Sequence, residues 1–481
     1  MSTGPVPAPV PPRRSPGRSA LAAAAAGMLA LGGLAGLATP AGAAAAGVAT
    51  APAGPAGATA PGGASAPGGA SGARPGDLLD VTLDQVRPTQ PSVGYDEVYY
   101  KLGRYTSPKD ELNGAANKRF DDWCETNGQG VAATVLPGAR LADPATFTCT
   151  VPLGQETEAS RAEMKTVVVG PGGALYLTDG HHTLTSFLEA PDGGPELHLR
   201  LIVQANLSDL SPAAFWQEMR ARNWVRLIDE QNRPITVEQL PQHLGLAYFH
   251  DDPYRSLVYF TRDIGYSVPD GAAEYLEFLW GDWLRGQGIG LPGSYSTTDR
   301  TSYLAAVRTA SQAMSAVPGD TVITEGRTAD ELGRLNPWNA GKKPTGGEFG
   351  KLSAPITEAK PGKLAYALDF RAKVPTGPAC TETVTGRHTG PLVVSRGTTC
   401  LTGARQTGPV VVRAGASLVV KGSDITGPVQ AVGAGTVQLC GTVLTGPLSV
   451  VNTRDHLTLA APGCTPNTLN GPVQLVGNPT S

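Results

Sequence analysis

The residues best suited to chemistry stand together in the segment Asp179-Gly180-His181-His182. The strand-like run 175–177 precedes an Asp-Gly turn, and the two histidines then open a predicted helix. The N-terminus of a helix presents unpaired N–H groups and a partial positive charge, which favour an anion such as phosphate. Gly180 lets the backbone approach this anion closely, and both histidines can bind it or exchange protons with it. We therefore predict Asp179, His181 and His182 as catalytic residues and Gly180 as a substrate-binding residue.

The same segment also has a purely structural interpretation. Asp179 can cap the helix, because aspartate is among the preferred N-cap residues. The two histidines can then form local hydrogen bonds and take no part in chemistry. The residue types alone do not decide between these interpretations.

A second candidate is the segment Asp251-Asp252-Pro253-Tyr254-Arg255. Two adjacent carboxylates can hold a divalent metal ion, and Arg255 can clamp a phosphate group, so Asp251 and Asp252 are the predicted metal ligands. Alternatively, Asp252-Pro253 begins a helix with the aspartate as its cap, and Arg255 pairs inside the protein. A divalent metal ion is the one cofactor that the residues indicate, and its identity stays open.

These segments need a mixed α/β domain to position them. The residues 167–169 and 175–177 predict two strands of a hairpin around the turn Gly170-Pro171-Gly172-Gly173. A third strand, 198–203, is predicted to join the same sheet. The predicted helices are 182–188, 212–225, 272–285 and 301–314.

The last hundred residues contain an internal repeat with the pattern Thr/Asn-Gly-Pro-Leu/Val. Its copies begin at Thr389, Thr407, Thr426, Thr445 and Asn470, at intervals of about 19 residues with a longer last step. A single copy cannot bury its apolar face, whereas stacked copies can, so the repeat predicts a small right-handed β-helix or β-solenoid. A β-sandwich with Gly-Pro turns is the alternative.

The N-terminus has the features of an export signal. Arg13, Arg14 and Arg18 precede an apolar run at 20–38, and 41–43 offers small residues for cleavage. An uncleaved membrane anchor is the alternative, and the choice between Sec and Tat export stays open. Removal of residues 1–43, which carry three arginines and no acid, leaves 35 basic and 41 acidic residues. This net charge of −6 counts against unspecific binding of nucleic acid, which is typical of basic proteins.

All six cysteines lie in the predicted exported part, where disulfides are the expected state. Local pairing is preferred, because each bridge then closes a short loop within one region. A zinc site is the weaker alternative, because the chain has no Cys-x-x-Cys pair. The predicted bridges are Cys124–Cys149, Cys380–Cys400 and Cys440–Cys464.

Several motifs in order resemble the ParB/sulfiredoxin-like superfamily, in its ParB-like nuclease branch, over roughly residues 78–320. They are 88–94 with Glu97 and Lys101, the turn 179–182, Phe215-Trp216 with Met219 and Trp224, 251–257, and Glu277-Phe278 with Trp280, Asp282, Trp283 and Arg285.

This resemblance implies an α/β fold whose strand–turn–helix corner binds nucleotide or phosphate. It places His181 at the position of the family's catalytic residue, and His182 and Thr183 at the position of a basic pair. It also places Gln90 and Lys101 near the corner, so Thr183, Gln90, Lys101 and Arg255 join the predicted substrate-binding residues. Sulfiredoxin chemistry is excluded, because no thiol stands at the turn.

The predicted fold class is α+β, with a ParB/sulfiredoxin-like α/β domain followed by the solenoid. The predicted domains are a signal peptide (1–43), a disordered Ala/Gly/Pro linker (44–76), the ParB-like domain (77–335), a second linker (336–376) and the solenoid (377–481). The predicted function is that of a secreted phosphodiesterase or nuclease that acts on a phosphate-containing ligand or nucleic acid. The alternative is a non-catalytic binding protein whose solenoid docks on the cell envelope, and no membrane span is expected after processing.

Overall fold

A computed structural model describes residues 70–113, 117–374, 380–459 and 464–479. The predicted signal peptide lies outside these residues, as does the predicted linker up to residue 69. Within the described ranges, no helix is long and apolar enough to cross a membrane.

The N-terminal domain, residues 70–374, combines helices with short strands. Its helices are α1 (Tyr95–Tyr105), α2 (Pro108–Asn113), α3 (Lys118–Thr126), α4 (Glu158–Arg161), α5 (His181–Glu189), α6 (Pro212–Ala221), α7 (Pro253–Thr261), α8 (Leu276–Gly286), α9 (Arg300–Ala316), α10 (Gly347–Leu352) and α11 (Lys363–Arg371). Its strands are β1 (Leu78–Thr82), β2 (Val86–Arg87), β3 (Ser92–Val93), β4 (Ala132–Val135), β5 (Phe147–Cys149), β6 (Thr166–Val169), β7 (Leu175–Leu177), β8 (His198–Asn206), β9 (His250–Asp251), β10 (Val322–Thr324) and β11 (Arg327–Thr328).

One five-stranded sheet, in the order β1-β8-β6-β7-β2, organises this domain. The three strands predicted from the sequence, β6, β7 and β8, all belong to it, which confirms that prediction. Along β8 the apolar side chains Leu199, Leu201 and Val203 alternate with more exposed residues, because successive side chains point to opposite faces. The hairpin between β6 and β7 turns at Gly172 and Gly173, whose positive φ angles of 71° and 79° favour glycine.

The predicted linker at 336–376 is largely wrong, because the described part of this range is folded. It contains α10 and α11, and Phe349, Leu364 and Phe370 are buried in the core of the domain. Arg371 at the end of α11 donates two hydrogen bonds to Asp96 of α1, at 2.9 and 2.7 Å. The Pro- and Gly-rich surroundings concealed these helices, which are short and whose apolar residues follow no helical period.

The C-terminal domain is a β-solenoid, as predicted, and it has about four turns. Its strands form two parallel sheets. They are β12 (Glu382–Thr389), β13 (Leu392–Val394), β14 (Thr398–Thr407), β15 (Val410–Val412), β16 (Ser417–Lys421), β17 (Asp424–Thr426), β18 (Val429–Val432), β19 (Thr436–Cys440), β20 (Val443–Thr445), β21 (Leu448–Val451), β22 (His456–Thr458), β23 (Thr468–Asn470) and β24 (Val473–Val476). The handedness of the coil stays a prediction.

The Gly-Pro corners of successive turns lie in register. Thr389 pairs with Thr407, Thr407 with Thr426, Thr426 with Thr445, and Thr445 with Asn470. The apolar residues after the first four corners point inward and form one core, which consists of Leu392, Val410, Val429, Leu448 and their neighbours. In the last turn Val473 and Leu475 are 46% and 44% exposed, because no described strand covers them.

The predicted disulfides are all present. The Cα atoms of Cys124 and Cys149 lie 5.7 Å apart, within the range that a disulfide bridges. The other two pairs, Cys380–Cys400 and Cys440–Cys464, both fall in the C-terminal part of the chain, and no free cysteine is found among the described residues.

The solenoid lies against the N-terminal domain near the C-terminal end of α5. Glu189, the last residue of α5, accepts hydrogen bonds from Thr465 Oγ1 at 2.6 Å and from the backbone N–H of Leu246 at 2.8 Å. The hydroxyl of Tyr248 donates to the carbonyl of Gly441 at 2.8 Å. The helix that begins with His181 therefore ends on the solenoid.

If α11 is part of the domain core, Leu364→Ala should lower the free energy of unfolding by roughly 2–5 kcal/mol, because it leaves a cavity at a fully buried position. Urea unfolding followed by circular dichroism measures this loss. Lys373→Ala is the matched control, because Lys373 is 60% exposed and its removal should cost less than about 0.5 kcal/mol. Equal effects of the two substitutions would contradict the packing of α11.

The stacked corners of the solenoid lead to a second prediction. Gly427 has φ of 139°, and a Cβ atom there would lie 2.6 Å from the carbonyl oxygen of Gly408, so Gly427→Ala should destabilise the protein by about 3 kcal/mol. Gly403→Ala is the control: its φ of 58° is also positive, but no atom stands within 4 Å of its Cβ position. Its cost should be about 1 kcal/mol. Equal urea midpoints of the two variants would show that the stacked corners do not limit side-chain size.

Candidate functional site

A pocket of about 300 Å³ lies at the N-terminus of α5. Four predicted site residues from three different helices meet there: His181 and His182 of α5, Lys101 of α1 and Arg255 of α7. The two histidines are predicted catalytic residues, and the other two are predicted substrate-binding residues. The other predicted residues that line the pocket are Asp179, Gly180, Thr183 and Gln90. The structure thus brings these eight residues together, and their individual roles stay predictions.

The first turn of α5 is open toward a ligand. Gly180 occupies the N-cap position with φ of 98°, and no side chain caps the helix. A Cβ atom at Gly180 would lie 2.5 Å from Cγ of Lys165, so glycine is needed for space as well as for conformation. Asp179 does not act as the cap: its side chain is 65% exposed and lies 3.5 Å from Nζ of Lys165. An uncapped helix N-terminus is the backbone arrangement that binds anions.

Both histidines are held through Nε2 by backbone groups of the segment that precedes α1. The N–H of Thr89 donates to Nε2 of His181 at 3.1 Å, and the N–H of Gly94 donates to Nε2 of His182 at 3.0 Å. A ring nitrogen that accepts a hydrogen bond carries no proton, so the proton of each neutral ring is on Nδ1. Neither Nδ1 atom has a partner among the described residues. Each ring therefore has an Nδ1–H donor available for a ligand.

Burial keeps both rings neutral. Burial lowers the pKa of His181 to about 4, against a smaller opposing effect of Asp179. Burial also lowers the pKa of His182, well below its usual value, and the nearby Arg255 adds to this effect. A role of His182 as general base does not fit this arrangement, because its Nε2 lone pair is occupied and its Nδ1 is already protonated.

An ion-pair network lies beside the histidines, and its Glu97 Oε2 is 3.6 Å from Nε2 of His182. Nη1 of Arg255 lies 3.0 Å from Oε2 of Glu97, yet the two atoms lack hydrogen-bond geometry and have no hydrogen-bond partner among the described residues. Glu277 lies 3.8 Å from Arg255 Nη2 and forms a second ion pair with Arg262. Burial alone would raise the pKa of Glu277, but the two arginines outweigh it and lower this pKa. The network leaves one buried donor and one buried acceptor for a ligand.

The pocket is charged but balanced. Four basic and four acidic side chains line it. The basic residues are Lys101, Lys165, Arg255 and Arg262, and the acidic residues are Glu97, Asp179, Glu274 and Glu277. This balance differs from the basic surface on which proteins bind the phosphates of long nucleic acids.

The predicted metal ligands do not line this pocket. Oδ1 of Asp252 accepts hydrogen bonds from the N–H groups of Tyr254 and Arg255 at 2.9 and 3.0 Å and so caps α7. Asp251 accepts the N–H of Tyr95 at 3.0 Å. Within the described ranges, no group of three or more His, Cys, Asp or Glu side chains is placed to hold a metal ion. The structure thus favours the structural interpretation of this segment.

Sequence reasoning did not assign site roles to several residues that line the pocket. They are Glu97, Lys165, Arg262, Glu274, Tyr275 and Glu277. Glu97 could have been predicted from the sequence, because it stands four residues before Lys101 and the two share one face of α1. No sequence pattern predicts a site role for Lys165 or Arg262, since the two residues reach the pocket only through the tertiary fold.

One family model matches the part of the chain that carries this pocket. The family model described as "Putative ParB-like nuclease" matches residues 79–286, which contain all eight predicted residues of the pocket. The crystal structure of protein Atu1540 from Agrobacterium tumefaciens is similar at 21% sequence identity, with a TM-score of 0.31, over 50% of this chain and 93% of that chain. No curated protein matches.

The buried histidines should make the protein sensitive to acid. The folded-state pKa of His181 is about 4, below the unfolded value, so below about pH 6.5 the unfolded chain binds the proton first and stability falls. Between pH 7 and pH 5 this group should cost roughly 2 kcal/mol of stability. His181→Gln, which keeps an acceptor for Thr89, should remove this part of the loss in urea unfolding at the two pH values.

His198→Gln is the control for this experiment, because the side chain of His198 is 67% exposed. It should keep the wild-type difference in stability between pH 7 and pH 5. If the loss of stability between pH 7 and pH 5 is as large in His181→Gln as in the wild type, the pKa of His181 is not lowered in the folded protein.

Proposed function

We propose that the pocket at the N-terminus of α5 binds a phosphate ester and that the protein is an exported phosphodiesterase. The observation that carries this proposal is the convergence of an uncapped helix N-terminus with two Nδ1–H donors and the buried, unsatisfied Nη1 of Arg255. All of these groups donate hydrogen bonds, and phosphate oxygens only accept them.

The neutral state of the histidines suits this binding. A neutral imidazole can donate a hydrogen bond to an oxyanion without the cost of a buried charge, and it does so at any pH well above its pKa. The helix N-terminus adds a partial positive charge, which also favours binding of the anion. Arg255 supplies a full charge, and Glu97 and Glu277 favour its charged form.

Hydrolysis also requires an acceptor for the proton of water. Glu97 is the best candidate, because its Oε2 is buried, lacks a hydrogen-bond partner and lies 3.0 Å from the arginine that would hold the phosphate. In this scheme a water oxygen forms the new bond to phosphorus, its proton passes to Glu97, and the bond to the leaving oxygen breaks. Arg255 and the Nδ1–H groups stabilise the charge on the phosphoryl oxygens.

A non-catalytic binding function is the second candidate, and two observations favour it. The Nε2 atoms of both histidines are occupied, so neither ring is a free base. The balanced lining charges also fit a small ligand better than a long polyanion.

The export part of the proposal depends on the disulfides. Three bridges in one chain are typical of proteins that fold in an oxidising environment outside the cytoplasm. We also propose that the solenoid attaches the protein to the cell envelope, because its surface is separate from the pocket at α5.

The test is hydrolysis of bis(p-nitrophenyl) phosphate, single-stranded DNA and RNA by the purified protein, with and without EDTA. We expect hydrolysis, a loss of about 10²-fold or more in Glu97→Gln, and little change in Glu163→Gln, whose exposed side chain lies outside the pocket. Thermal unfolding of each variant checks that it is folded.

Calorimetric titration with inorganic phosphate and phenyl phosphate separates the two candidates. Binding without hydrolysis supports the binding function. The absence of both binding and hydrolysis in the folded wild type would refute the phosphate site itself.

A further inference from the structure

A second cavity, of about 530 Å³, lies where the solenoid meets the N-terminal domain. The N-terminal domain contributes Asp84, Gln85, Arg87 and the hairpin turn at 171–175, together with Gln242 and His243. The solenoid contributes Arg405 of β14. None of these residues belongs to the pocket at α5.

The two arginines of this cavity have few partners. Nη1 of Arg87 donates to the hydroxyl of Tyr176 at 3.5 Å, the upper limit of a hydrogen bond. Nε of Arg405 lies 3.6 Å from Oδ2 of Asp424, an ion pair between exposed groups. The one acidic residue that lines the cavity, Asp84, is engaged by the hydroxyl of Thr82 at 2.5 Å. The lining therefore has one net positive charge and two guanidinium groups with donors to spare.

The rest of the lining contains both polar and apolar residues. Oε1 of Gln85 accepts the N–H of Thr82 at 3.1 Å, and Nε2 of Gln242 donates to the carbonyl of Leu240 at 3.2 Å. Each amide thus keeps one group for a ligand, a donor on Gln85 and an acceptor on Gln242. The turn 171–175 supplies Pro171, Ala174 and Leu175 as an apolar wall, and no atom stands within 4 Å of the Cβ position of Gly172.

We propose that this cavity binds a small hydroxylated anion, such as a sugar acid or a sugar phosphate, whose carboxylate or phosphate lies between Arg87 and Arg405. Guanidinium groups match both kinds of anion, the two amides match hydroxyl groups, and the apolar turn matches the carbon face of a sugar ring. Because the two arginines belong to different domains, the bound anion also strengthens the contact between the N-terminal domain and the solenoid.

The test is isothermal titration of the full chain with glucuronate, glucose 6-phosphate and glucose. We expect both anions to bind and glucose to bind at least 10-fold more weakly, and the tighter anion identifies carboxylate or phosphate as the preferred group. Arg87→Gln and Arg405→Gln should each weaken anion binding at least 10-fold, because each removes one charged donor. Both side chains are exposed, and equal thermal unfolding temperatures confirm that the variants are folded.

Two control variants locate the binding. Arg413→Gln alters an exposed solenoid arginine outside the cavity, and Lys165→Gln alters the pocket at α5, so neither should change the affinity for glucuronate. The proposal is wrong if neither anion binds or if glucose binds as tightly as the anions. It is also wrong if Arg87→Gln and Arg405→Gln, each tested alone, leave the affinity for the anions unchanged.

Discussion

Two backbone hydrogen bonds, from Thr89 to His181 and from Gly94 to His182, determine what the site can do. They fix the orientation and the tautomer of both rings, and they tie the segment before α1 to the first turn of α5. Without them each ring could rotate and exchange its donor and acceptor nitrogens, while burial would still keep the pKa of both rings low. The motif at 88–94 thus orients both rings through its backbone, while the side chain of Gln90 lines the pocket.

The second constraint is the burial of charge beside those rings. Buried ion pairs cost desolvation energy and are tolerated where hydrogen bonds and further charges compensate. Here Asp252 caps the helix that carries Arg255, and the parallel pairing of β3 with β9 places this helix next to Gly94. The same short strands therefore position the donors of the histidines and the arginine that faces them. A strained or slipped β3 would disturb both at once.

The sequence predicted the parts of the fold that depend on local signals. The strand–turn–helix corner, the disulfides and the solenoid all follow from short-range patterns of glycine, proline, cysteine and alternating apolar residues. The tautomer of the histidines could not be predicted, because their donors stand about 90 residues away in the chain. Helix α11 was missed since its buried residues 364–367 are consecutive and show no amphipathic period. Lys165 reaches the pocket only because β6 runs beside β7, which leads into α5.

The stacked Gly-Pro corners also restrict how the length of this protein can change. Each turn adds one strand spacing, about 4.8 Å, along the solenoid axis. A gain or loss of one whole repeat keeps every glycine above another glycine. The corners stay in register over intervals of 18, 19, 19 and 25 residues, so the arc between two corners can change in length, whereas a side chain at the corner itself would meet a neighbouring carbonyl. Duplication or deletion of one whole turn, from corner to corner, should therefore preserve the stack. Homologous solenoids should differ in axial length by whole turns, and any smaller differences in length should fall in the arcs between the corners.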